Sequence, residues 1–172
     1  QVKALFQQTM ERFGRLDILV NSAGAFDGGP LENVTLQAWN NVMNANVTGP
    51  FLCMREAFPI MKKAGGGRII NIGSISAQRS RENSSPYTTS KFAIEGLTHS
   101  GALEGRDFGI AVSCLHPGNV LVERRAKAKD PEPMMDVRNI ARTALLMATL
   151  DPEINMLDAI VLPLAQKYIG RG

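Results

Sequence analysis

The sequence lacks any apolar run near the ~20 residues that a membrane-spanning helix needs, and no charged-then-apolar segment opens the chain. From these features we expect neither a membrane-spanning segment nor a secretion signal, and we expect a cytoplasmic protein. Hydrophobic residues make up 44% of the chain and charged residues 20%, which is typical of a globular domain. Residues 1–172 are therefore interpreted as one domain with its own core.

Cysteine and histidine are scarce, with two residues of each. Cys53 and Cys114 lie far apart and form no C-x-x-C pair, so we expect two free thiols. His99 and His116 show no ligand spacing with these cysteines. The sequence therefore predicts no metal site.

Basic residues are not concentrated in one segment, although the net charge is +3. The densest basic cluster, at 124–129, is flanked by Glu123 and Asp130. Nucleic-acid surfaces usually carry a basic stripe, often with stacking aromatic residues, and aromatic residues make up only 6% of this chain. The pattern indicates a solvated surface and no nucleic-acid partner. The alternative function of nucleic-acid binding is supported only by the net charge.

Segments of helical periodicity alternate with short apolar segments along the chain. Gly14 is placed to end the first helix, Thr35 to cap the second and Pro86 to open the third. The predicted helices cover 2–13, 35–63, 86–106 and 137–150, the predicted strands cover 16–20, 68–72, 110–115 and 156–164, and 121–135 is predicted as a charged loop with at most one short helix.

This alternation predicts an α/β fold built from right-handed βαβ units. Such units form a doubly wound parallel sheet covered by helices on both faces, in three α/β/α layers. Ligands of these sheets bind beyond the carboxyl ends of the strands. The segments to examine are therefore 21–24, 73–74 and 116–120.

The strongest chemical pattern is Tyr87-Thr88-Thr89-Ser90-Lys91. Residues i and i+4 share one face of a helix, so the phenol and the ammonium project to the same side. A neighbouring cation favours the ionised phenolate, as a proton donor to a carbonyl or a base for an alcohol requires. Taken alone, the pair also fits an ordinary amphipathic helix.

Two further polar residues have both a functional and a structural interpretation. Ser74 stands where a strand meets a loop, so its hydroxyl is placed either to stabilise charge on a substrate oxygen or to satisfy turn backbone. Asn46 lies inside a predicted helix, where asparagine usually signals local hydrogen bonding or a kink. Neither residue decides the function by itself.

Together these residues resemble the short-chain dehydrogenase/reductase family over nearly the whole chain. Residues 21–24 (Asn-Ser-Ala-Gly) are similar to the family's N-N-A-G turn, and residues 117–118 to its P-G after the following strand. The resemblance implies a Rossmann-type fold with sheet order 3-2-1-4-5-6-7. It also implies an enzyme that moves a hydride between a nicotinamide cofactor, NAD or NADP, and a small-molecule carbonyl or alcohol.

The resemblance also implies a role for each matching residue. Asn46 holds a water for proton relay, Ser74 orients the substrate oxygen, Tyr87 is the acid/base, and Lys91 binds the nicotinamide ribose and supports the phenolate. The implied cofactor-binding residues are Asn21, Ala23, Gly24, Tyr87, Lys91, Pro117, Gly118 and Val120. Pairing of two long helices across a twofold axis implies a homodimer or homotetramer.

Three features depart from the family pattern. The glycine-rich phosphate-binding turn is absent, and Gly65-Gly66-Gly67 precedes a strand rather than following one, so it is no substitute. The family has a threonine shortly after the P-G pair, but residues 119–122 contain none. Contacts with the cofactor in this segment would therefore come from backbone groups, such as that of Val120. The ending of many family members, V-D-G-G, is not found in 163–172.

These departures predict that residues 1–172 are the C-terminal two-thirds of a cofactor-binding domain without its N-terminal strands. The segment that selects NAD or NADP falls in the missing part, and we expect the fragment alone to be inactive. The alternative function is that of an inactive relative acting as a protein-interaction module.

Overall fold

The computed structural model describes residues 1–122 and 132–167 as four parallel strands with helices between them. Short 3₁₀ turns lie at Leu31–Asn33, Ile75–Ala77 and Arg106–Phe108. The helices are α1 (Val2–Phe13), α2 (Leu36–Met43), α3 (Gly49–Ala64), α4 (Ser85–Gly105) and α5 (Val137–Thr149), and the strands are β1 (Ile18–Asn21), β2 (Gly67–Ile72), β3 (Ile110–Pro117) and β4 (Asp158–Val161).

The strands pair in the order β1-β2-β3-β4, and every pair is parallel. In the register Asn21 lies beside Asn71, which lies beside Cys114, which in turn lies beside Asp158. This is the parallel α/β sheet that the sequence predicts. All four carboxyl ends face the same edge, which gathers the loops that follow the strands.

Hydrophobic residues from the helices cover both faces of the sheet. Phe6 of α1 and Met54 of α3 pack on one face against Ile69 of β2. On the other face, Met147 of α5 packs against Ile70 and Leu115. Adjacent residues of β2 thus point into opposite layers, as the pleat requires, and the three-layer prediction is confirmed.

The caps predicted at Gly14 and Thr35 are present in the structure, and α5 has a further cap that was not predicted. Gly14 ends α1 in the left-handed conformation, with φ of 70°, and its N–H donates to the carbonyl of Met10. The Thr35 side chain caps α2 by accepting a hydrogen bond of 3.1 Å from the Ala38 N–H. Asp136 caps α5 in the same way, accepting from the Arg138 N–H at 2.8 Å.

The predicted continuous helix over 35–63 is wrong in its middle. Residues Asn44–Thr48 form one π-helical turn between α2 and α3. Pro50 has no N–H, so the carbonyl of Asn46 loses the donor that residue i+4 supplies in an α-helix. A widened turn at this position is the physical consequence.

Strand ends differ from the predicted ones by a few residues. The strand predicted over 16–20 begins and ends later, and the one predicted over 156–164 shortens to β4. Met135, the last residue of the predicted loop 121–135, forms a parallel bridge with Val120. Residues 123–131 of that loop lie outside the described residues.

Strand β1 is the outermost strand on one side of the described sheet. It pairs only with β2 there, and its side chains Ile18 and Val20 are 44% and 46% exposed. Among the described helices, none combines the length and apolar character needed to cross a membrane.

Candidate active site

The residues that the sequence singles out lie at or beyond the carboxyl ends of three neighbouring strands. Asn21 ends β1, Ser74 follows β2 by two residues, and Pro117 ends β3. Helix α4, which carries Tyr87 and Lys91, packs against β3 and the turn after Ser74. One edge of the sheet therefore gathers these groups.

Lys91 and Tyr87 lie close together on α4. The Lys91 Nζ is 5.5 Å from the centroid of the Tyr87 ring, and it donates a hydrogen bond of 2.8 Å to the Ile72 carbonyl. Lys91 is only 6% exposed, whereas Tyr87 is half-buried. Burial lowers the pKa of Lys91 from 10.5 to about 8, so the amine exchanges its proton close to neutral pH.

Cys114 lies on β3 near this lysine and has the opposite shift. Burial raises the pKa of its thiol from 9.0 to about 12, and the hydrogen bond with Thr98 offsets only part of that shift. The free thiol is therefore protonated at neutral pH.

Ser74 has an extended backbone conformation, and its side chain and its carbonyl each make one contact. Its Oγ accepts a hydrogen bond of 3.1 Å from the Ser76 N–H, and its carbonyl lies 3.0 Å from the His116 Nδ1. Because Oγ acts as acceptor within the turn, its own proton is left to donate. A donor at this position suits an oxygen that gains negative charge.

Asn46 joins the loop after β1 to α4. Its Nδ2 donates to the Ala25 carbonyl and to the Ser90 Oγ, both at 2.9 Å, while its Oδ1 accepts from the Ala25 N–H at 2.7 Å. Both side-chain protons are thus used. Asn46 is thus a locally hydrogen-bonded asparagine at a helix irregularity, and its role in a proton relay stays a prediction.

The loop after β1 contains three of the predicted cofactor-binding residues. Asn21 donates from Nδ2 to the Asn71 Oδ1 at 2.8 Å, which ties the carboxyl ends of β1 and β2 together. Ala23 and Gly24 are exposed at the surface of this edge. A Cβ on Gly24 would lie 3.3 Å from the Asn46 Oδ1, so the loop passes close to that amide.

The end of β3 and the segment after it contain three more of the predicted cofactor-binding residues. Gly118 donates to the Val161 carbonyl at 2.8 Å, and a Cβ there would lie 2.4 Å from the Gln166 Oε1. Pro117 and Val120 are partly exposed beside it. A side chain at position 118 would therefore displace the end of the Gln166 side chain.

Two residues of the site escaped the sequence analysis. Ser90 accepts from Asn46 and donates to the Tyr87 carbonyl at 2.7 Å, so it links two of the predicted site residues. Phe26 packs on Tyr87 with 5.1 Å between ring centroids. Ser90 lies within the pattern from Tyr87 to Lys91, so the sequence could have indicated it as a site residue. No feature of the sequence indicates Phe26.

Comparison with known proteins identifies the family. The family model for short chain dehydrogenase matches residues 1–133. The chain belongs to the short-chain dehydrogenase family.

Named relatives give the scale of the similarity. Over 120 residues the chain is 40% identical to trans-4-hydroxycyclohexanecarboxylate dehydrogenase of Sinomonas cyclohexanicum and 42% identical to 3-alpha-(or 20-beta)-hydroxysteroid dehydrogenase of Mycobacterium bovis. Each alignment covers 70% of this chain but 46% of the relative, so the chain spans about half the length of these proteins.

Solved structures agree with this assignment. ElxO with NADP bound superposes with a TM-score of 0.90 at 26% identity, covering 99% of this chain and 74% of that chain. A gluconate 5-dehydrogenase from Burkholderia cenocepacia, in complex with NADP and tartrate, gives 0.88 at 28% identity, covering 95% and 69%. The fold is therefore the Rossmann-type fold of this family.

Proposed function

We propose that the full-length protein is an NAD(P)-dependent oxidoreductase that interconverts a carbonyl and an alcohol, with Tyr87 as acid/base. The observation that carries the proposal is the pairing of Tyr87 with the buried amine of Lys91, 5.5 Å from the ring centroid. Ser74 stands at the end of the adjacent strand. Homology and the NADP-bound neighbours support the reaction class.

In the reducing direction the residues act on the substrate oxygen. The Ser74 hydroxyl donates a hydrogen bond to it, and the Tyr87 hydroxyl transfers its proton to it as negative charge develops. Lys91 then returns a proton toward the phenolate. In the oxidising direction each proton moves the opposite way.

The residues present fit the nicotinamide ribose part of the cofactor. Lys91 has three N–H donors when charged and uses one on Ile72; within 1–122 and 132–167 the other two have no hydrogen-bond partner. Ribose hydroxyls are suitable acceptors for them. A bound nicotinamide cofactor supplies or accepts the hydride.

The route by which a proton reaches Lys91 involves Asn46 in a specific way. Both Nδ2 protons of Asn46 are used on Ala25 and Ser90, so the side chain has no donor left for a water. Its backbone carbonyl, by contrast, has no α-helical donor because residue 50 is proline. We infer that a relay water would be held by this carbonyl.

The proposal predicts cofactor turnover that depends on a carbonyl or alcohol. The full-length protein is mixed with NADH or NADPH and a panel of ketones, and separately with NAD or NADP and secondary alcohols that include hydroxycyclohexane carboxylates, hydroxysteroids and sugar acids. Substrate-dependent change in nicotinamide absorbance supports the proposal.

Serine variants locate the activity. Ser74→Ala removes the donor to the substrate oxygen and should lower turnover by roughly 10² or more. Ser80→Ala changes an exposed serine six residues further on and should leave the rate unchanged. Tight cofactor binding without turnover of any compound would instead support the inactive, partner-binding alternative.

A further inference from the structure

A group of ligand-capable side chains lies behind Ser74, outside the set proposed for catalysis. Cys114 and His116 project from the same face of β3, two residues apart, and Asp158 is the register partner of Cys114 on β4. The Sγ of Cys114, a ring nitrogen of His116 and a carboxylate oxygen of Asp158 all lie within 4.8 Å of one another. The sequence predicted no metal site because spacing along the chain does not show that β4 brings Asp158 to this pair.

The hydrogen bonds of His116 fix which nitrogen faces the group. A carbonyl only accepts, so the Nδ1 of His116, 3.0 Å from the Ser74 carbonyl, carries the proton. The Nε2 then bears a lone pair in the neutral ring, yet it faces the Asp158 Oδ1 at 3.4 Å. The ring nitrogen and the carboxylate oxygen are both atoms that bind metal ions, and they face each other beside the Cys114 Sγ.

The separation suits a metal ion. Zinc bonds of about 2.0–2.2 Å to nitrogen and oxygen, at the tetrahedral angle, hold the two ligand atoms about 3.4 Å apart. Thiolate, imidazole and carboxylate are all zinc ligands in proteins. With one thiolate and one carboxylate, the two negative charges balance a divalent cation.

Contacts around the three side chains match those that orient metal ligands. A ligating histidine usually donates its other N–H to a backbone carbonyl, and a ligating carboxylate is usually hydrogen-bonded in turn. His116 has the first contact, to Ser74, and Asp158 has the second, from the His99 Nε2 to its Oδ2 at 2.8 Å. His116 is fully buried, whereas His99 and Asp158 are partly exposed, which leaves an approach from solvent.

We propose that Cys114, His116 and Asp158 form a Zn²⁺ site, with the fourth position open to water on the side of His99. Binding deprotonates the Cys114 thiol, so one proton leaves as the ion enters. The site is anchored to the catalytic strand end through the hydrogen bond between His116 and the Ser74 carbonyl. It does not depend on the redox function proposed above.

Metal titration tests the site without any assay of activity. The full-length protein is stripped with a chelator, dialysed and titrated with Zn²⁺ by calorimetry. The expected result is saturable binding of one ion per chain with a dissociation constant in the micromolar range or below. Titration with Co²⁺ should produce a thiolate-to-cobalt charge-transfer band together with the visible bands of a tetrahedral ion.

Variants assign the ligands. Cys114→Ser should abolish the charge-transfer band, and Asp158→Asn should weaken Zn²⁺ binding by 100-fold or more. His99→Gln, which changes only the outer contact, should weaken it by roughly 10-fold. Cys53→Ser is the matched control, since it removes the chain's other cysteine and should change nothing.

The wild-type protein alone decides the proposal if a variant fails to fold. Absence of saturable Zn²⁺ binding in the wild type would overturn the proposal. A Co²⁺ complex without the thiolate band, or a band that Cys53→Ser abolishes, would overturn it as well.

Discussion

The Nζ of Lys91 donates a hydrogen bond of 2.8 Å to the backbone carbonyl of Ile72. This contact joins α4 to the strand that leads into Ser74. It also holds an amine where solvent is almost excluded, and burial lowers the pKa of that amine to about 8. The energetic consequence is a pH-dependent cost to folding.

Lys91→Met should remove that cost. Between pH of about 8 and 10.5 the unfolded chain binds a proton at Lys91 that the folded chain does not, so the free energy of unfolding rises with pH in that window. Below pH 8 Lys91 is charged in both states, and the full cost of burying the charge lowers the stability of the fold. Urea unfolding of the full-length protein at pH 7 to 9 should show the variant gaining stability, by an amount on the order of 3 kcal/mol at pH 7. The gain should shrink as pH rises.

Measurements are limited to pH 9 and below because Cys114 has the opposite effect on stability above that pH. Its raised pKa contributes stability that is present below pH 9 and lost as pH rises from 9 toward 12. Lys63→Met, at an exposed position, serves as the control. A stability difference between Lys91→Met and wild type that does not change with pH would mean that the lysine is charged in both states.

Gly73→Ala should destabilise the protein by about 1–3 kcal/mol. A Cβ there would lie 2.6 Å from the His116 Nδ1 and 2.8 Å from the Cys114 Sγ, two side chains that have little room to move. Gly96→Ala is the control: its Cβ meets nothing within 4 Å on α4, so it should stabilise by up to about 1 kcal/mol. Equal effects in urea unfolding would contradict the packing described at Gly73.

Much of the fold follows from periodicity and capping residues. Gly14 and Thr35 mark helix ends in the sequence, and both act there in the structure. The π-helical turn was not predicted, although Asn46 and Pro50 together give its physical cause. Hydrophobic periodicity predicts which residues lie on the same face of a helix. It does not show that a backbone carbonyl within the helix lacks its N–H donor.

The candidate site also has a part that the sequence predicts and a part that it does not. The i, i+4 relation of Tyr87 and Lys91 is local, so the sequence alone places the two side chains on one face. The contacts of Asn46 with Ala25 and Ser90 join residues 21 and 44 positions apart. Such contacts depend on how the loop and the helix pack, which a single sequence does not show.

Self-association is expected through α3 and α4. Each carries exposed aromatic residues, Phe51 on α3 and Phe92 on α4, and Leu103 on α4 is exposed too. Apolar surface of this kind is typical of twofold interfaces. The full-length protein should have the mass of a dimer or tetramer by light scattering at micromolar concentration.

Charge placed on one of these helices tests the interface. Phe92→Glu should shift the mass toward that of the monomer, whereas Phe13→Glu, at an exposed phenylalanine of α1, should not. A monomeric wild-type protein, or dissociation by Phe13→Glu alone, would contradict the expected interface.

A protein made of residues 1–172 alone should be marginally stable or aggregate. Within the described residues β1 has an unpaired edge and exposes Ile18 and Val20, and an apolar edge strand templates association. We also expect no saturable binding of NAD(H) or NADP(H) at millimolar concentration, because no glycine-rich phosphate turn is present in these residues. Soluble, cooperative unfolding with micromolar cofactor affinity would show the expectation to be wrong.

The role of Tyr87 is tested by Tyr87→Phe in the full-length protein, with turnover and cofactor affinity measured side by side. The substitution keeps the ring packed on Phe26 and beside Lys91 and removes only the hydroxyl. We predict that cofactor affinity stays within a few-fold of wild type while turnover falls by roughly 10² or more, and that Thr89→Ala, at an exposed hydroxyl on the same helix, keeps normal turnover. Near-normal turnover by Tyr87→Phe would contradict the assignment of Tyr87 as the acid/base.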